Sequence, residues 1–242
     1  MKGLLAHLRL ELTLLARNGE SLLLTLGIPV LLLVFFANVD VLPFDGEPID
    51  FLAPGVLALA VLSTAFTNLA IGVGFEREYG VLKRLGSTPL GRPRLLAAKT
   101  LAIAVVEAIQ IVVLWPLALV LGWNPSVEPF AALAALVLGT IACAGLGLCL
   151  AGSLKALVTL AAANGIYVLL VLLSGMVIPL DELPAAVRAV ARALPSGALA
   201  EAIRGAVAVG VDVPGRAWIV LAAWAIAAPV AATRLFRWEA ES

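Results

Sequence analysis

Apolar runs of roughly twenty residues recur along this chain between Ser21 and Leu235, each too long and too poor in charge for a helix of a water-soluble domain. Backbone N–H and C=O groups in hydrocarbon meet no water, so such runs fold as helices that close their hydrogen bonds internally. The expected fold is therefore an all-α polytopic membrane protein. Six transmembrane helices are read at about 21–38, 51–75, 95–121, 130–152, 157–178 and 217–235, forming one transmembrane domain over residues 1–242. Only 13% of the residues are charged, against roughly 25% in soluble domains.

One long charged island interrupts the hydrocarbon. Glu76 to Lys99, EREYGVLKRLGSTPLGRPRLLAAK, carries six of the 16 Lys and Arg residues. Lys and Arg gather on the cytoplasmic side of membrane proteins, which places the island there, with both termini. In that orientation twelve basic residues lie inside and four, Arg188, Arg192, Arg204 and Arg216, lie outside. Glu76 to Leu85 has helix-forming residues, and Gly86-Ser87-Thr88-Pro89 stops that helix. A short rigid helix across the ends of two spans can receive a push from a soluble partner; the plainer reading is a positive-inside loop.

The other connections are distinct in character. Leu4 to Ala16 places its leucines on one face, as an N-terminal amphipathic interface helix does, or as a polar lead into the first span. Asn38 to Asp50 holds four carboxylates and no base, a translocated loop. Asp181 to Val213 mixes apolar residues with arginines and is broken by Pro184, Pro195 and Gly197. Two short outer-leaflet helices are expected there, the second over Ala198 to Val209, with the arginines paired to Asp181, Glu182, Glu201 or lipid headgroups.

Polar side chains inside the runs are few. Thr64, Thr67 and Asn68 are spaced to share a face, as are Glu107 with Gln110 and Asn164 with Tyr167. A carboxylate in a membrane helix is costly; Glu107 serves either a structural role near the headgroups or the transport pathway. No catalytic or metal site is visible, since His7 is the sole histidine. Ala98-Lys99-Thr100 ends like a phosphate-binding loop without its glycines, so the chain does not hydrolyse ATP through that motif. Cys143 and Cys149 read as free thiols, and the basic residues form no nucleic-acid-binding patch.

The island resembles the hallmark of ABC-2 type transporter permeases, roughly E-R-E-x-G-T-L-E-x-L-x-x-T-P-L-x-R followed by a Lys, here Lys99. Ser174-Gly175-Met176-Val177-Ile178-Pro179, continuing to Leu183-Pro184, is similar to that family's segment after the fifth span. The resemblance implies a permease homodimer or heterodimer in a bacterial cytoplasmic membrane, working with a separate nucleotide-binding ATPase subunit that holds the ATP and Mg²⁺. It implies ATPase coupling through Glu76, Arg77, Glu78, Tyr79, Gly80, Leu82, Lys83, Arg84, Thr88 and Pro89. It makes Thr64, Asn68 and Asn164 pathway residues, and Ser174, Gly175, Pro179 and Pro184 the outer-helix motif. Lys83-Arg84 resembles the L-K-R-L version in daunorubicin-type exporters of actinobacteria, which points to efflux of amphipathic drugs or lipids. Two alternatives stay open: a proton-coupled carrier or channel using Glu107, and a non-transporting membrane scaffold.

Overall fold

A computed structural model describes residues 9, 11–13, 19–38, 48–86, 92–208, 210 and 212–236. Most of the expected N-terminal helix, most of the acidic outer loop, the turn containing Thr88 and Pro89, and the tail beyond Phe236 lie outside the described residues. Among the described residues every regular element is helical: α1 (Gly19–Asn38), α2 (Pro48–Glu78), α3 (Val81–Gly86), α4 (Arg92–Val120), α5 (Pro129–Ser153), α6 (Ala156–Leu172), α7 (Ala185–Ala193), α8 (Pro195–Val207) and α9 (Gly215–Leu235). A 3-10 turn, Leu180–Glu182, precedes α7.

By length and composition α2, α4, α5 and α9 are able to cross a membrane, while α6 and the Thr25–Asn38 part of α1 are shorter apolar helices. The axis of the bundle is α2. Of its most apolar window 78% is buried, against 33% for α4 and 17% for α9. Its 31 residues extend about 46 Å, longer than a hydrocarbon core of about 30 Å. Midway, Leu62–Asn68 adopts π-helical pairing, an i to i+5 pattern that occurs often at functional sites.

Small residues let the helices meet at backbone distance. A Cβ on Gly147 of α5 would lie 2.7 Å from the Phe66 carbonyl oxygen of α2, and one on Gly145 would lie 2.6 Å from the Pro229 nitrogen of α9. Ser126 and Glu128 donate backbone N–H bonds to the Val207 and Ala206 carbonyls, which satisfies the end of α8.

Three expectations are corrected. The helix read over Glu76 to Leu85 is divided: α2 runs on to Glu78, Tyr79 and Gly80 form a turn with Gly80 at φ +70°, and α3 begins at Val81. Glycine takes this left-handed conformation without a Cβ penalty, and it ends helices for that reason. The fifth apolar run, read to Ile178, leaves the helix at Leu172, and Gly175 turns the chain at φ +74°. The break at Pro195 is present, for α7 ends at Ala193 and α8 starts at Pro195, but Gly197, read as a breaker, lies within α8, which begins three residues before the expected Ala198. Proline is preorganised for the first turn of a helix, and a Cβ on Gly197 would sit 2.1 Å from the Ala191 carbonyl oxygen.

Candidate functional site

The C-terminal end of α2 is bonded to three neighbours by three successive side chains. Glu76 pairs with Lys99 of α4 at 2.6 Å, and Lys99 also reaches Glu11 at 2.7 Å, so the N-terminal segment, α2 and α4 meet at one ammonium. Arg77 donates from Nη1 to the Gly152 carbonyl at 2.5 Å and from Nη2 to the Leu154 carbonyl at 2.6 Å. Glu78 accepts the Ala156 backbone N–H at 2.9 Å.

The order of these charges follows from the two helix ends they meet. The carbonyls at the C-terminus of α5 carry partial negative charge, and Arg77 is cationic; the N–H groups opening α6 carry partial positive charge, and Glu78 is anionic. The turn between α5 and α6 is thereby gripped from both sides. This end of α2 is joined to α4, α5 and α6 through hydrogen bonds to charged groups, the stronger class of such bonds.

Beyond the grip, Tyr79 is 72% exposed and stacks on Phe75 with ring centroids 6.0 Å apart. Leu82 is fully buried, while Val81, Lys83 and Arg84 are on the exposed side of α3. The hairpin thus has a buried anchor and an outward face with an aromatic ring and two cations.

A cavity of about 360 Å³ opens between α1, α2 and α4, walled by Glu76 and Lys99 at one end and by Thr25, Thr64 and Asn68 further along. Its polar wall is tied together across three helices. Thr64 Oγ1 donates to Gln110 Oε1 at 3.1 Å, Gln110 Nε2 donates to the Thr25 carbonyl at 3.0 Å, and Asn68 Nδ2 donates to Thr25 Oγ1 at 2.9 Å. Thr67, expected on the same face, does not line this cavity, and its buried hydroxyl has no partner.

The family model of the ABC-2 type transporter matches residues 3–207, most of the chain including the E-R-E end of α2 and its clamp. The chain belongs to this family. A comparison with curated proteins gave no match. Members are membrane subunits of transporters, not enzymes in themselves, and generally work with a nucleotide-binding ATPase subunit.

The remaining expected residues of this ABC-2 permease fall in separate places. Glu107 and Gln110 do not share surroundings: Gln110 faces α1 and α2, whereas Glu107 is paired with Thr140 of α5. Asn164 lies exposed on α6, its amide bonded to the Leu160 carbonyl at 2.8 Å. Ser174 accepts the Met176 N–H at 3.0 Å and donates to the Val171 carbonyl at 2.7 Å, holding the turn in which Gly175 sits. Pro179 leads into the 3-10 turn and Pro184 precedes α7.

The four basic residues expected on the outer side are all engaged. Arg188 and Arg192 lie within 3.4 and 3.8 Å of Asp181, and Arg216 pairs with Glu201 at 2.7 Å. Arg204 donates to the Gly175 carbonyl at 3.0 Å and lies 4.0 Å from the centre of the Phe51 ring. Burial pushes its guanidinium down to about 10 against the pull of Glu201, so it stays charged at neutral pH. Sequence reasoning missed the cross-helix roles of Thr25 and Gln110, and it grouped Arg77 with the coupling residues without its carbonyl partners. Gln110, an amide deep in an apolar run, was the available signal.

Proposed function

We propose that this chain is the membrane-spanning subunit of an ATP-driven exporter that moves a hydrophobic or amphipathic molecule, a drug or lipid, out across a bacterial cytoplasmic membrane. It crosses six times with both termini inside and works as a dimer of permeases. A separate ATPase subunit binds ATP and Mg²⁺ and docks on Tyr79 and α3. Closure of that subunit pushes the hairpin, and the clamp of Glu76, Arg77 and Glu78 carries the movement from α2 into three helices, α4, α5 and α6, switching the bundle between two packed states.

The observation that carries this reading is the pairing of an exposed docking face with a rigid base, Tyr79 outside and Arg77 gripping the α5–α6 turn inside. The cavity between α1, α2 and α4 is the proposed pathway, with Thr64 and Asn68 as its polar contacts. Asn164 and Gly165, polar and small on an otherwise apolar exposed face, suit a helix–helix contact with a second permease.

Affinity purification of the tagged chain from its native membranes tests the proposal. An ATPase subunit is expected to co-purify with the wild type and to be lost from Tyr79→Asp, while the variant keeps its own elution profile. Transport in vesicles that continues without ATP, or an unchanged complex with Tyr79→Asp, overturns it.

A further inference from the structure

A second, larger cavity lies on another side of α4. It is a groove of about 700 Å³ between α4, α5 and α9, with an almost wholly apolar lining that includes Leu101, Ala104, Ala108, Val137 and Gly145. None of its residues lines the cavity between α1, α2 and α4. Leu101, Leu133 and Val137 on its walls are substantially exposed, so the groove opens at the surface of the bundle. Its volume falls within the range of about 300–1,000 Å³ typical of small-molecule sites.

The side-chain polar groups in its wall are those of Glu107, Thr140, Thr100 and Thr233. Glu107 is 4% exposed. Its Oε2 lies 2.5 Å from the Thr140 hydroxyl, which also lies 2.8 Å from the Leu136 carbonyl, and its Oε1 has no partner. A hydroxyl carries one hydrogen and serves one acceptor at a time. The hydroxyl therefore cannot serve both contacts at once, and Glu107 Oε1 meets no donor, in surroundings where an unmet carboxylate oxygen is costly.

We infer that this groove is a binding site for a lipophilic amine, a compact apolar molecule with an ammonium head that pairs with Glu107 and lies against α4, α5 and α9. An ammonium brings three N–H donors and a compensating charge, which supplies what the Glu107–Thr140 pair lacks. The apolar body fills a lining that offers it nothing but dispersion and release of surface. Lipid tails fill the lining equally well, but only an amine head answers the carboxylate. The site stands independently of the ATP-driven reading, because it uses neither the hairpin nor the pathway cavity.

Native mass spectrometry of the detergent-purified chain with dodecylamine, and with dodecanol as the uncharged control, tests this. Wild type is expected to retain one dodecylamine and no dodecanol. Glu107→Gln, whose amide supplies its own donors, is expected to weaken retention by about tenfold, the scale of one charge-assisted bond. Ala108→Leu, which fills the groove and leaves Glu107 in place, is expected to weaken it as well. Equal retention by Glu107→Gln, equal retention of dodecanol, or a co-purified phosphatidylethanolamine that dodecylamine does not displace overturns the inference. Unchanged retention by Ala108→Leu removes the groove as its location.

Discussion

Lys99 Nζ lies 2.6 Å from a carboxylate oxygen of Glu76, joining the start of α4 to the last turn of α2 across 23 residues of chain. The lysine side chain is 3% exposed and Glu11 stands on its other side at 2.7 Å. Removing the ammonium leaves two carboxylates together in a partly dry site. Lys99→Ala is expected to destabilise the fold by about 3 kcal/mol, the lower end of the range for a broken buried pair, because Glu76 keeps some contact with solvent. Lys99→Met combined with Glu76→Gln and Glu11→Gln is expected to regain most of that loss, since no bare charge remains. Thermal unfolding in detergent decides between this and a lysine that contributes nothing.

Arg77 grips two carbonyls that belong to the end of one helix and the turn after it. A lysine keeps the charge but not the fork, so it holds one carbonyl at a time. Arg77→Lys is expected to fold and to support ATP hydrolysis by the bound ATPase subunit, while cargo moved per ATP falls by about tenfold, the cost of one lost charge-assisted bond. Proteoliposomes measured for both rates separate the two effects. A parallel loss of hydrolysis and transport would falsify a role in transmission.

The hairpin divides its labour between two residues three apart. Tyr79 is 72% exposed and Leu82 is fully buried. Tyr79→Ala is expected to leave thermal stability within about 0.5 kcal/mol, as exposed substitutions do, and to abolish capture of the ATPase subunit. Leu82→Ala is expected to loosen α3 itself at a cost of about 2–4 kcal/mol. Limited proteolysis near α3 reports that loosening: rapid cleavage in Leu82→Ala with none in Tyr79→Ala is the expected pattern.

The apolar runs made the helical membrane fold legible, because hydrocarbon leaves the backbone one local solution. The island was legible too, since Glu76, Arg77 and Glu78 stand out in such a chain. Its division was not. Helix propensity favours continuing through Tyr79, and only the left-handed φ of Gly80 shows that α2 ends and α3 begins there. Nor do positions three apart reveal which neighbour each one meets: Glu107 and Gln110 lie one turn apart on α4 yet bond to different helices, because α5 packs on one side and α1 and α2 on the other. Single-chain periodicity marks a face; it does not name what covers it.

Gly55 of α2 makes the sharpest prediction about packing. A Cβ there would lie 2.1 Å from the Met176 carbonyl oxygen. The turn that carries Met176 has little room to retreat: its N–H is held by Ser174, the Gly175 carbonyl accepts Arg204, and a Cβ on Gly175 would itself meet Leu180 at 2.7 Å. Gly55→Ala therefore forces α2 and this turn apart and is expected to cost at least about 3 kcal/mol, the upper range for an overpacked core. Gly72, further along the same helix, has nothing within 4 Å of the corresponding position. Gly72→Ala is expected to be neutral or to stabilise by up to about 1 kcal/mol through helix propensity alone. Thermal unfolding of the two variants side by side is the check: opposite signs follow if the turn is rigid, whereas two small shifts of the same sign mean that it yields.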